Sequence, residues 1–157
     1  MRKAQKITDA LRGTYLLEIH AVKPFEIKAK KFLGVKFPEG YYYYSGSAQK
    51  NYESRLQRHI KPFKRIHWHI DHLTTVPTNK ITRIFLFENA PRETECRIVQ
   101  DLIARFSLSE EFKGFGNSDC RTCGTHLLYS EKPINHNHFI SLYQSTVRLI
   151  PLSSEIF

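Results

Sequence analysis

Residues Tyr41 to Tyr44 are four tyrosines in a row, opened by Gly40 and followed by Ser45-Gly46-Ser47-Ala48. Such a run fits a β-strand, because aromatic rings pack well on a pleated surface and successive side chains point to opposite faces. Tyr42, Tyr44 and Gly46 then share one face. Gly46 lets the backbone turn sharply or another group come close, and Ser47 to Asn51 are small or polar, with Asn51 positioned to cap a helix. Beyond it Tyr52, Leu56 and Ile60 recur every four residues as a buried stripe, with His59 on the same line and Arg55 at its border. Arg55 reaches inward from there, while Arg58 points further towards solvent. The strand delivers a tyrosine and the helix an arginine; the plainer alternative is a tyrosine-rich edge strand beside a basic surface helix.

A second tyrosine sits in an equivalent setting. Gly13-Thr14-Tyr15-Leu16-Leu17-Glu18-Ile19-His20 alternates as a strand, with Tyr15, Leu17 and Ile19 on a largely apolar, buried face and Thr14, Leu16 and Glu18 on the other. Residues 1–12 form a basic lead-in, a frayed helix or arm, and 13–157 one domain, since 157 residues bury a sufficient core without a staple. Lys23 to Lys36 mixes lysines with Pro24, Phe25, Ile27 and Phe32, as an irregular hairpin or extra strand. Its lysines are either a solvated face or phosphate contacts. Ile81 to Phe87 reads as a central strand buried on both faces.

The net charge of +9 and pI near 9.6 favour an acidic partner, and the interleaved tyrosines favour nucleic acid over a membrane surface. No apolar run is long enough to span a bilayer, and Met1 to Lys6 lacks the apolar core of a secretory signal. The chain is therefore expected in the cytoplasm, with its three cysteines reduced.

Three further segments carry chemistry. In His67-Trp68-His69-Ile70-Asp71-His72-Leu73, helical spacing brings His69 near His72 and His67 near Asp71, which suits a metal. Alternatively Trp68, Ile70 and Leu73 anchor a short helix whose histidines bond to the core or meet phosphate. A later helix buries Val99, Leu102, Ile103 and Phe106, with Glu95 one turn earlier on the same line and Glu93 on the opposite side. A carboxylate at the end of an apolar stripe needs a partner, a hydrogen bond or a cation, unless it only complements the helix N-terminus near solvent. The segment from Glu110 to Gly124 contains Cys120-x-x-Cys123, and His126 follows. These three would supply most of a zinc site, with Cys96 or a central histidine as the fourth ligand; otherwise the loop shapes a substrate groove. His126 to Ser130 is expected to add a strand, Asn135 to Val147 a helix burying Phe139, Ile140, Tyr143 and Val147, and the tail from Leu149 an irregular extension.

Gly13-Thr14-Tyr15, then Tyr44-Ser45-Gly46, then Arg55, resembles the GIY-YIG nuclease superfamily. Thr14 and Ser45 stand where the name-giving isoleucines would be, at positions pointing away from the site. Twenty-eight residues separate Tyr15 from Tyr44, a longer hairpin than the family's usual one. Gly46-Ser47-Ala48, Arg58-His59, His67 to Asp71 and Phe115-Gly116-x-Ser118-Asp119-Cys120 are similar to a GIY-YIG-like subfamily found alone or beside endonuclease III-type repair glycosylases. The resemblance covers roughly Gly13 to Tyr129 and implies an α/β (α+β) domain with a small, mainly antiparallel central sheet flanked by helices.

It also implies metal-dependent hydrolysis of nucleic-acid phosphodiesters, DNA more than RNA. On that basis Glu95 would hold Mg²⁺ or Mn²⁺, Arg55 would stabilise developing phosphate charge, Tyr15 or Tyr44 would activate water, and His59 would be the alternative proton carrier. Gly46, Ser47, Arg58, His67 and His69 would line the substrate. Two other classes remain: a non-cleaving nucleic-acid-binding module, and a zinc-binding structural or interaction protein.

Overall fold

The tyrosine run forms a strand, β2 (Gly40–Ala48), and pairs antiparallel with β1 (Gly13–Ala21). The register sets Tyr15 opposite Gly46 and Leu17 opposite Tyr44, so both tyrosines emerge on one face near the same end of the pair. These features come from a computed structural model that describes residues 6–116, 122–143 and 147–152. β1 also pairs with β3 (Asn79–Glu88), whose register shifts between Glu18 and Ile19; β4 (Leu127–Ser130) adds to β2, and β5 (Arg148–Pro151) to β3. The sheet is antiparallel throughout, in the order β4-β2-β1-β3-β5, which makes the protein an α+β fold.

Strand alternation divides the core in two. One face carries Tyr15, Leu17, Ile19, Tyr42 and Tyr44 and packs under helices α1 (Tyr52–Ile60) and α2 (His69–Thr74). The other carries Leu16, Tyr43, Phe85 and Phe87 under α3 (Thr94–Phe106) and α4 (His136–Ser141). On this second face Glu18 is buried and satisfied, accepting from Tyr43 Oη, Thr82 Oγ1 and Arg83 Nη1, each at 2.7 Å.

The segment between β1 and β2 holds a single bridge, Phe25 to Phe37, and a 3-10 turn at Lys30–Phe32, and it lays Phe25, Ile27, Phe32 and Phe37 on the first face. Of the lead-in, residues 6–12 are not helical; the Ile7 and Thr8 N–H groups donate to the Glu53 carboxylate instead. Asn51 is the N-cap of α1 by position but makes no side-chain capping bond, and its φ of 58° is the left-handed conformation that asparagine tolerates.

Several sequence expectations need correction. The helix expected over Asn135 to Val147 is short, because α4 stops at Ser141; Phe139 and Tyr143 are buried as expected and Val147 leads into β5. The tail expected to be irregular supplies that edge strand, where Ile150 lies opposite Ile84. On α3 the deepest residues are Ile98, Val99 and Leu102, while Ile103 and Phe106 are only partly covered. His67 precedes α2, so the helical spacing proposed for His67 and Asp71 does not apply.

Candidate active site

Among the described residues, β4 pairs with β2 only at Tyr41 to Tyr44, and the next contact is the Ser45 N–H donating to the His126 carbonyl at 3.0 Å. Past that point the edge of β2 is open, and side chains from both faces of the sheet converge there. The result is a cleft of about 860 Å³ lined by Tyr15, Tyr44, Gly46 and Ser47 of the strands, Arg55 and His59 of α1, and Glu95 of α3. His67, His69 and His126 complete its walls.

Close approach governs its floor. A Cβ built on Gly46 would lie 2.6 Å from Cζ of Tyr15, so only glycine lets the Tyr15 ring cross that strand. Tyr15 Oη lies 2.7 Å from His59 Nε2. Burial pushes the His59 imidazole down to about 3, helped by Lys64 and opposed by Asp71, so His59 is neutral at ordinary pH. Burial also holds both phenols well above their ordinary value; the Glu95 charge adds to this at Tyr44, while Arg55 opposes it at both.

Arg55 is held from two sides. Its Nη1 donates to the Ser47 carbonyl at 2.6 Å, and its guanidinium lies 4.7 Å from the centre of the Trp68 ring. Arg58 lies 4.5 Å from the same ring, so the indole is flanked by both cations. Arg58 does not turn to solvent: it makes a two-pronged pair with buried Asp71, Nη1 to Oδ1 and Nη2 to Oδ2 at 2.8 Å each. Asp71 also accepts the His67 and Trp68 N–H groups. His69 Nδ1 accepts from the Gly116 N–H at 3.0 Å, tying α2 to the far wall.

Glu95 opens α3, and Ser45 and Ser47, both on the second face of β2, anchor it. Ser45 Oγ donates to the Glu95 carbonyl at 2.9 Å, and Ser47 Oγ donates to Oε1. The other carboxylate oxygen lies 3.5 Å from His126 Nδ1. The Glu95 side chain remains 15% exposed, enough for a cleft-bound cation or water to reach its remaining lone pairs. On its far side His126 faces sulfur: Nε2 is 3.0 Å from Cys123 Sγ and 3.5 Å from Cys96 Sγ. Cys120, part of the expected zinc set, lies outside the described residues.

Residues 14–148 match the family model described as Domain of unknown function DUF123. The chain belongs to that family. The DUF123 match contains every cleft residue named above, from Tyr15 to His126. No curated protein matches the chain, and no solved structure matches it.

Candidate residues from five elements, β1, β2, α1, α2 and α3, converge on one cleft. Of those expected at the substrate, Arg58 is withdrawn into its pair with Asp71, and Gly46, Ser47, His67 and His69 line the cleft. Glu93, expected on the opposite side of α3, also lines it, because it is the N-cap and not part of the helical wheel. Arg92 and Arg97 add positive charge at the rim, and Trp68 orients Arg55. None of these three was expected at the site; a basic residue on each side of Glu95 is the sequence signal for the two arginines.

Proposed function

We propose that the protein is a divalent-metal-dependent endonuclease of the GIY-YIG type that hydrolyses phosphodiester bonds in DNA during repair or processing. The observation that carries this reading is the meeting of Tyr15, Tyr44, Arg55, His59 and Glu95 in one cleft rimmed by arginines. A non-cleaving binding module would need the basic rim but not a largely covered glutamate held by two serines.

The donor set suits Mg²⁺ or Mn²⁺, since such ions use one or two carboxylates and fill their other positions with water and phosphate oxygen. Glu95 would hold the ion, which when bound supplies Lewis-acid polarisation of a phosphoryl oxygen. Arg55, pre-oriented by Ser47 and Trp68, directs its remaining N–H groups at the oxygens that gain charge as water attacks phosphorus. Tyr44 borders the cleft and orients the attacking water. Tyr15 and His59 form a proton relay: the phenol takes the water proton as it passes its own to Nε2 of the imidazole, and the charge of the bound phosphate offsets the cost of charging a ring that burial keeps neutral in the free protein. The phosphorus–oxygen bond to the leaving nucleoside breaks, and that oxygen takes a proton from a cleft water, whose hydroxide is neutralised by the His59 proton returned through Tyr15.

A cytoplasmic location accompanies this reading. No helix among the described residues is long and apolar enough to cross a membrane. The test is cleavage of labelled duplex, single-stranded, branched and abasic DNA, and of RNA, with Mg²⁺ or Mn²⁺, by wild type and Glu95→Gln. Cutting lost in Glu95→Gln with binding kept is the expected result. Substrates bound but uncut by both proteins would favour the binding module, and equal cutting by both would remove Glu95 from the chemistry.

A further inference from the structure

We infer that Cys96, Cys123 and His126 bind zinc, at a site separate from the carboxylate that faces the cleft and joined to it through one imidazole. The three donor atoms all lie within 4.8 Å of one another. A tetrahedral zinc with Zn–S near 2.3 Å and Zn–N near 2.0–2.1 Å places its sulfur and nitrogen donors about 3.6 Å apart and two sulfurs about 3.8 Å apart. The two observed sulfur–nitrogen separations, 3.0 and 3.5 Å, need only small side-chain adjustments to reach that geometry.

The backbone already brings these donors together. Cys96 is in the first turn of α3, whose start is anchored by Ser45 through the Glu95 carbonyl. His126 is fixed by two strand-like bonds, its N–H to the Phe115 carbonyl at 2.9 Å and its carbonyl to the Ser45 N–H at 3.0 Å. The His126 side chain is 4% exposed, so its ring is held by packing and not by solvent.

Its two nitrogens face different groups, and the surroundings favour one tautomer. A neutral imidazole offers one donor and one lone pair. Nδ1 faces the Glu95 carboxylate, which can only accept, so the proton belongs there and the Nε2 lone pair faces the two sulfurs. A ligating histidine that gives its other N–H to a carboxylate is the usual arrangement around protein-bound zinc. Two thiolates and an imidazole select a soft or borderline ion such as zinc over Mg²⁺, whereas Glu95 selects a hard one. Zinc at this position would clamp the start of α3 to the lead-in of β4 and hold Glu95 from behind.

The inference is independent of the nuclease reading, and its test uses the metal alone. The protein is stripped, reconstituted with Zn²⁺, and assayed for metal content; Co²⁺ is then substituted and its absorption recorded. Wild type should bind about one zinc per chain, and its cobalt form should show thiolate charge-transfer bands with tetrahedral d–d intensity. Cys96→Ser, Cys123→Ser and His126→Gln should each weaken binding at least about tenfold, and Glu95→Gln about 10–100-fold with stoichiometry kept. Protection of Cys96 and Cys123 from alkylation by Zn²⁺ in the wild type supplies the same answer if a variant fails to fold. Failure of the wild type to bind Zn²⁺, a cobalt spectrum without thiolate bands, or wild-type affinity in both cysteine variants would overturn the site.

Discussion

His59 is 1% exposed and faces the Tyr15 hydroxyl with one nitrogen, while the other, Nδ1, has no hydrogen-bond partner among the described residues. Carrying no charge is the cost of that position. The unfolded chain takes up its proton near 6.5, the native chain only near 3, so between those values the unfolded state binds more protons and stability falls as pH falls. Urea unfolding measured from pH 7 to 4 should therefore show a slope of up to about 1.4 kcal/mol per pH unit from this residue, and His59→Gln should flatten it. Identical slopes in the two proteins would mean that the imidazole is not held neutral. The period-two and period-four patterns alone place Tyr15, Tyr44, Arg55 and His59 on the correct faces. The contact between Tyr15 and His59 is not readable in that way, because it depends on how α1 crosses β1.

At the scale of elements, α2 is six residues long, too short to persist by propensity, and its attachment to α1 rests on Asp71. Burial pushes the Asp71 carboxyl up, but the Arg58 pair and the Trp68 and His67 N–H groups outweigh this and leave it below its ordinary 3.8. Because the native value is depressed, this stabilisation is complete above 3.8 and is lost as pH falls through the native value, below most of the His59 window. Arg58→Ala should cost about 2–4 kcal/mol in chemical denaturation, discounted from the 3–5 of a fully buried pair because Arg58 is 26% exposed on its side chain. A loss below about 1 kcal/mol would show the pair to be screened. The same change removes one of the two cations flanking Trp68, so Arg55 should lose order even though it is untouched. Both helices are legible in the sequence but the inward turn of Arg58 is not, since a helical wheel gives a residue's direction without the neighbour that lies there.

For the molecule as a whole, a net charge of +9 with arginines at the rim of the cleft describes a surface suited to a polyanion. On the proposed nuclease reading, duplex binding should weaken steeply with salt, and replacing one phosphate-contacting arginine, with Arg97→Ala as the first choice, should reduce the logarithmic slope by about 0.9. Fluorescence anisotropy across a salt series checks this; a salt-independent affinity would remove nucleic acid as the partner. The fold itself puts the cleft where it is. β4 is only four residues long, and its short pairing leaves the end of β2 open, so a carboxylate from the helix layer on one face meets tyrosines from the other.

Local periodicity and strand alternation determine most of the elements and the faces that Tyr15, Tyr44 and Glu95 occupy. These follow from sequence because each depends on neighbours a few positions away. The short α4, the strand at Arg148–Pro151, the inward turn of Arg58 and the meeting of Cys96 with His126 are decided only by tertiary structure. The strand, the Arg58 turn and the cysteine–histidine meeting join residues 13 to 68 positions apart, and which of many possible partners is met depends on how the layers close around the sheet.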